Sequence, residues 1–368
     1  MMMMMMLGTA GMFPLVLAAM VAGGESCVEV LIVGPPKSGT TALFGALSDD
    51  DARATKELYF FNDDEAFGRG LGHYETLLAC DRKRDLVMDA TPLYLVNAAA
   101  LERAAAALRT TTTWIALLRE PVDRAFSHYN MLRRFEVGQA RRERRALAPS
   151  SSFEAAIEPE VRCYEAQANR SLAEAFDVCL ATPVAGSFAS LEKKGKLKYL
   201  GSLNGLLSVG VVAPQLRRAK GLHDELLVVS QRALFDDGEA VVDAVLGALP
   251  GKKKNTERTA GPVKRYESLS DHADFGLHDG ATFLGHRSRI DAATLARLDG
   301  LLERHTRELA DLLLSPTTDI VSLGLHHDRH WLHRPTGEVA APATPPPKEE
   351  EEQPEAAAVS CAASPAAA

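Results

Sequence analysis

Apolar positions in this chain fall into short, nearly unbroken runs, separated by longer stretches where they recur at helical spacing. Val28-Glu-Val-Leu-Ile-Val33 is β-branched and stops at Gly34, as a buried strand does before a turn, and Thr40 to Leu47 then carries a helical pattern. Leu86-Val-Met88 and Thr113-Trp-Ile-Ala-Leu-Leu118 repeat the theme, each followed by a polar turn and a helical stretch. Leu226-Leu-Val-Val-Ser230 is a fourth such run, with Glu239 to Leu249 as its helix. Strands buried on both faces and alternating with helices predict an α/β fold, a central parallel sheet flanked by helices. In such sheets ligands bind outside the carboxyl ends of the strands.

The ends of the chain read differently. Residues 1–24 carry no charge, and the run Leu15 to Ala22 precedes small residues and then Glu25, the pattern of a signal peptide or a membrane anchor. A basic leader is missing and six methionines open the chain, so a start codon inside that run is the alternative. Residues 336–368 are Ala, Pro and Glu with almost no large apolar side chain, too little to offset ordering entropy, and are expected to form a disordered tail. The domain between them is expected over 28–333. Arg141 to Ser152, charged and then turn-rich, is expected as an inserted loop.

Composition narrows the function classes. With 46% hydrophobic and 24% charged residues over 368 positions, wholesale disorder is excluded. The net charge of -8 argues against a protein that coats nucleic acid. The five cysteines (27, 80, 163, 179 and 361) include no closely spaced pair, which disfavours a zinc site, and no metal is expected. In an oxidising compartment Cys163 and Cys179 can pair, and the sequon at Asn169 becomes usable there.

Candidate chemistry begins where the first strand ends. Gly34-Pro-Pro-Lys-Ser-Gly-Thr-Thr41 has the GxxxxG spacing of a phosphate loop at a helix start, where glycines let backbone N–H groups wrap an anion. Nucleoside triphosphatases carry a lysine directly after the second glycine. Here Thr40 stands there, and Lys37 lies inside the loop instead. That suits a nucleotide anion without triphosphate or magnesium, such as a sulfuryl donor; the bland alternative is a turn that only joins strand to helix. After the strand ending at Leu118 comes Arg119-Glu-Pro-Val-Asp-Arg-Ala-Phe-Ser127, in which Arg119 and Ser127 can grip one phosphate from two sides if Pro121 opens a helix.

Strand-GxxKSGTT followed by strand-RxPxxRxxSxY resembles the two cofactor motifs of sulfotransferases that use 3′-phosphoadenosine-5′-phosphosulfate, or PAPS. Lys56-Glu-Leu-Tyr-Phe-Phe61, Gly72-His-Tyr74 and Ala90-Thr-Pro-Leu-Tyr-Leu95 are similar to the Golgi carbohydrate group, which includes heparan sulfate N- and 3-O-sulfotransferases. The match runs with gaps from about Val30 to Leu314, ending on a helix pattern over Leu295 to Leu314. The resemblance implies a P-loop-like nucleotide-binding fold, and a transferase of the secretory pathway or Golgi that is held at the membrane by its N-terminal segment and acts on a glycan, possible anionic ones included.

It further implies that Lys37, Ser38, Gly39, Thr40 and Thr41 hold the 5′-phosphosulfate. Arg119 and Ser127 would hold the 3′-phosphate, and Glu57 would be the catalytic base, with Lys37 offsetting charge on the leaving oxygen. Lys264 and Arg265 would belong to a later cofactor loop. The heparan-type enzymes have a lysine where this chain has Ala90, a departure that favours another branch of the carbohydrate sulfotransferases.

Bland readings stand beside these. Glu57 alone reads as a solvated carboxylate ahead of an apolar strand. Tyr59, Phe60 and Phe61 read as core, with Tyr59 also able to face the acceptor, and Trp114 reads as core. His128 and Tyr129 serve either packing or a pocket. Arg133, Arg134 and the cluster Arg141 to Arg145 form either a solvated face or a glycan contact. Two other function classes remain open at this point: a P-loop kinase-like phosphotransferase, and a nucleotide-binding relative without catalysis.

Overall fold

The computed structural model describes residues 26–48, 56–80, 86–143, 152–182, 205–250, 290–315 and 317–332, with side chains left out for some residues near the end of the 86–143 stretch. Five parallel strands, β1 (Val30–Gly34), β2 (Met88–Ala90), β3 (Thr113–Leu118), β4 (Leu226–Ser230) and β5 (Val321–Leu323), form one sheet in the order β2-β1-β3-β4-β5. The first four are fully buried, as expected in a sheet covered on both faces, but β2 begins only at the last residue of the expected run Leu86–Met88 and carries the buried Asp89 at its centre. The edge strand β5 is three residues long and largely exposed or half-buried, too short for a period to show in the sequence.

The helices connecting these strands are α1 (Thr40–Leu47), α2 (Asp64–Gly68), α3 (Leu71–Leu78), α4 (Ala98–Ala107), α5 (Pro121–Glu143), α6 (Phe153–Ala166), α7 (Leu172–Cys179), α8 (Val212–Leu222), α9 (Gln231–Asp236), α10 (Gly238–Ala248) and α11 (Ala292–Leu314). A short α12 (Arg329–Leu332) follows β5. Bounds at α1 coincide with the predicted helix, and those at α10 and α11 fall within a few residues of it. The expected loop at Arg141 does not begin there, because α5 carries its helical backbone on through Glu143.

Two-residue periodicity sorts each strand between two cores. Leu31, Val33, Trp114, Ala116, Leu118, Leu226 and Val228 face one layer, which α4, α5, α8 and α11 fill from Ala100, Leu101, Val122, Phe126, Leu216 and Leu309. Val30, Ile32, Ile115, Leu117, Leu227 and Val229 face the other, filled by Leu43 and Leu47 of α1 and by Val242 and Val245 of α10. Trp114 is in the first core as expected, stacked on His223 with ring centroids 4.6 Å apart.

Two disulfides tie the periphery. Cys163–Cys179 joins α6 to α7 with its Cα atoms 5.7 Å apart, and Cys27–Cys80 joins the approach to β1 to the end of α3. The second pairing has no local sequence signal, since 53 residues separate its partners. Among the described residues no helix is long and apolar enough to cross a membrane, and the leader 1–24 and the tail 336–368 lie outside the described residues.

Because β2 and β3 flank β1 on opposite sides, the connections leaving the sheet diverge at β1, the topological position at which parallel sheets bind ligands outside the strands' carboxyl ends. Both candidate anion loops leave the sheet there.

Candidate functional site

The loop after β1 is shaped by what Gly34 and Gly39 allow. Gly34 has φ 122°, and a Cβ on it would sit 2.0 Å from the carbonyl oxygen of Pro92, so the loop leaves β1 hard against the turn after β2. Gly39, at φ 93°, opens α1 without a side-chain cap, so no side chain at the cap takes up the first N–H groups of that helix. Between the glycines, Ser38 is fully buried and its Oγ has no hydrogen-bond partner among the described residues. Lys37 takes a left-handed backbone at φ 69°.

The loop after β3 closes on the first loop directly. Arg119 Nη1 donates to the carbonyl oxygen of Lys37 at 2.8 Å, across 82 residues of sequence. One helical turn on, Arg124 is fully buried; its Nη1 donates to the carbonyl oxygen of Pro36 at 3.2 Å and its Nη2 to that of Leu206. Burial, then the cations Arg134, Arg119, Lys56 and Arg124, bring the Lys37 ammonium down to about 7. Burial and the neighbouring arginine likewise bring Arg124 to about 9, although Glu160 opposes the shift. His128, buried on α5 with Nδ1 3.5 Å from Arg124 Nη1, is held well below its usual range by burial and by Arg124 and Lys37. Ser127 is half-buried on the same helix.

Cations that depress Lys37, beside an uncapped helix start and a buried Ser38 hydroxyl without a partner among the described residues, are complementary to an anion, while Asp123 and Glu120 offset part of the charge at Arg119. The donor set therefore fits a nucleotide with phosphate or sulfate at both ends.

Glu57 reaches the same place from a third segment. Its N–H donates to the carbonyl oxygen of Ala90 at 3.2 Å, and the Tyr59 N–H donates to Thr91 Oγ1 at 3.3 Å, which lays residues 56–59 along the carboxyl end of β2. The Glu57 side chain remains 39% exposed. Tyr59 OH donates to its Oε2 at 3.0 Å, while Lys56 Nζ donates to its Oε1 at 2.8 Å and to Thr41 Oγ1 at 2.5 Å. Past Glu57 the chain makes a turn, not the apolar strand expected there: the N–H groups of Asn62 and Asp63 both return to the carbonyl oxygen of Tyr59. A strand would send Phe60 and Phe61 to opposite faces, whereas the turn buries both in one aromatic cluster with Tyr74 and Phe67. Tyr59 alone of the three leaves the core and joins the site.

Three buried groups under the site escaped the sequence reading. Arg124 stands inside the motif RxPxxRxxSxY, a signal that was available. Asp89 at the middle of β2 accepts from Tyr74 OH at 2.9 Å, Tyr94 OH at 2.7 Å and Thr91 OγH at 2.8 Å. Burial raises its carboxyl to about 6 against those hydrogen bonds. Glu160 on α6 accepts from the N–H groups of Leu206, Leu207 and Ser208 and from Ser208 OγH, and so holds the turn whose Leu206 carbonyl receives Arg124. Lys264 and Arg265, expected in a later cofactor loop, lie outside the described residues.

Comparison with known proteins agrees with the resemblance drawn from the motifs. Over 106 residues the chain is 27% identical to human heparan sulfate glucosamine 3-O-sulfotransferase 5, covering 28% of this chain and 30% of that one. Over 103 residues it is 37% identical to human heparan sulfate glucosamine 3-O-sulfotransferase 6, covering 27% of this chain and 29% of that one. The alignments thus span less than a third of the curated relatives they match. A sulfotransferase from Alicyclobacillus acidocaldarius superposes with a TM-score of 0.41 at 20% identity, covering 75% of this chain and 96% of that chain. No family model matches the chain. Its sequence resemblance is to the sulfotransferases, and the parallel sheet with helices on both faces is the fold class expected from it.

Proposed function

We propose that this chain is a sulfotransferase that takes the sulfuryl group from PAPS and places it on a hydroxyl or amine of a glycan. The observation that carries the reading is the bond from Arg119 to the Lys37 carbonyl, which unites two anion-gripping loops at one end of the sheet. Thr40 supports it against a kinase-like reading, because it stands buried where a triphosphatase loop carries its lysine.

Bound PAPS would supply an activated sulfuryl group on a phosphate leaving group. For its 5′ end, the N–H groups of Gly39 to Thr41, the Ser38 hydroxyl and the Lys37 ammonium form the cradle, and Lys37 is placed to offset charge growing on the bridging oxygen. Arg119 and Ser127 take the 3′-phosphate, with Lys264 and Arg265 as further cofactor contacts. Glu57, open to solvent and held at both oxygens, accepts the acceptor's proton. Arg134, whose charge acts on Lys37, is the candidate contact for an anionic glycan. The two disulfides support an oxidising, secretory setting, with residues 1–24 as signal or anchor and 28–333 as the catalytic domain.

The test is calorimetric titration of the full chain with adenosine 3′,5′-bisphosphate in magnesium-free buffer, followed by transfer from labelled PAPS to a glycan panel. Lys37→Ala and Arg119→Ala should each weaken the bisphosphate by about 10- to 100-fold, the range for a lost charge-assisted contact. Glu57→Gln should leave binding intact and cut transfer by about 10²- to 10⁴-fold. Undiminished binding in both cation variants would overturn the site, and binding without transfer to any acceptor would reduce the chain to a nucleotide-binding relative.

A further inference from the structure

The proposed transfer leaves Lys56 unused. Its ammonium touches the first turn of α1 through Thr41 Oγ1 at 2.5 Å and the carboxylate of Glu57 at 2.8 Å. It therefore bridges the cradle for the donor and the group that receives the acceptor's proton. The side chain is 21% exposed, and its charge is among those that depress Lys37, so it lies beside the proposed donor cradle. As an ion pair with an exposed neighbour it contributes little to stability.

The backbone around it is arranged at a cost. Glu57 and Tyr59 both occupy the left-handed region, at φ 64° and 55°, which disfavours residues with a Cβ and gathers at functional sites. This backbone lets both carboxylate oxygens of Glu57 be held, Oε1 by Lys56 and Oε2 by Tyr59.

We propose that Lys56 is a second catalytic cation, contacting the sulfuryl oxygens from the acceptor side, and that Tyr59 is the positioning residue that aims Glu57. This rests on the sulfuryl-transfer reading above. In the step, an acceptor O–H or N–H gives its proton to a Glu57 oxygen as the acceptor atom's lone pair forms the new bond to sulfur. The bond from sulfur to the bridging oxygen breaks, and its electron pair leaves on the 5′-phosphate of adenosine 3′,5′-bisphosphate. The sulfuryl group crosses from the Lys37 side to the Glu57 side, and Lys56 is the cation positioned along that path.

The product bisphosphate lacks the sulfuryl group, which makes the contact measurable without an acceptor. Affinities for PAPS and for the bisphosphate are compared in the full chain and in Lys56→Met, with Lys56→Gln repeating the comparison on a side chain that keeps hydrogen bonding but lacks charge. PAPS affinity should fall about tenfold while bisphosphate affinity changes less than about twofold. Transfer at saturating donor should fall about 100-fold, and Lys56→Arg should recover part of it. Tyr59→Phe should lower kcat with the donor KM unchanged. Equal loss for both ligands would make Lys56 a structural pin, and no loss for either would place it off the reaction path; each overturns the proposal while leaving the donor site standing. A parent chain that binds neither ligand would sink the transfer reading, and this proposal with it.

Discussion

The phosphate loop and the polar layer beneath it are built from similar groups in opposite balance. Beneath, each buried carboxylate is saturated with donors: Asp89 takes three hydroxyls, and Glu160 takes three N–H groups and a hydroxyl. In the loop, Ser38 Oγ is buried without a partner among the described residues, and Lys37 is surrounded by positive charge that, with burial, drives its ammonium down to about 7. A saturated polar group holds the fold, because leaving such a group unpaired is costly. An unsaturated cationic one carries a standing penalty that an arriving anion removes. The charge balance, rather than the unpaired hydroxyl alone, separates scaffold from site, since Trp114 Nε1 and His305 Nδ1 in the core are also buried without a partner among the described residues.

The sharpest break in that contrast comes from Glu160. Glu160→Ala strands three buried N–H groups and frees the turn that receives Arg124, and should cost about 3 kcal/mol or more of unfolding free energy by denaturant titration. Bisphosphate binding should fail along with it, since Arg124 also supports the Pro36 carbonyl. A loss below about 1 kcal/mol would show that the saturated layer is not what holds the loop.

Lys37→Met should do the reverse. Removing a charge that the folded state disfavours should stabilise the ligand-free chain by about 1 kcal/mol while weakening the bisphosphate. The sign comes from the depressed value: between about 7 and the ordinary 10.5 the unfolded chain holds a proton that the folded chain has lost, so stability rises with pH across that window. An anion restores the proton, so binding should take up a proton above pH 7 and weaken as pH rises. Titration in buffers of different ionisation enthalpy reads this directly, and proton uptake that persists in Lys37→Met would assign it to another group.

How much of this was legible in the sequence depends on the range of the interactions. β1, β3, β4 and the bounds of α1 rest on neighbours within a few residues and could be read from apolar runs and glycine spacing, whereas β2 meets its expected run Leu86–Met88 only at Met88, because the strand continues through the buried Asp89. Glu57 could be placed only through the resemblance, since its segment folds as a turn rather than a strand. Glu160 makes its decisive contacts across 46 residues and Asp89 takes its Tyr74 hydroxyl across 15, where no local pattern speaks, whereas Arg124 stands inside a legible motif and only its partners, 82 and 88 residues away, are not legible. Cys27 and Cys80, 53 residues apart, were unreadable for the same reason. The short β5 has no local signal because Val321-Ser322-Leu323 is a partly exposed edge segment split by a polar residue.

The smallest expected effect tests the scaffold side by pH alone. Burial holds the Asp89 carboxyl up at about 6 against its ordinary 3.8, so over that interval the folded chain keeps a proton the unfolded chain has released. Stability should therefore decline as pH climbs from about 4 to about 6, and level off above it, once the carboxylate is ionised in both states. Glu160, also raised by burial, acts in the same direction. Asp89→Asn removes the titration while keeping an acceptor for the hydroxyls of Tyr74 and Tyr94, and should flatten part of the slope at a cost of about 1 kcal/mol in overall stability. Melting temperatures of the two chains across pH 4 to 7 decide it. If the slopes are parallel, Asp89 shares its proton equally between folded and unfolded chains, and its three hydroxyl donors balance its burial more fully than its place in the middle of β2 implies.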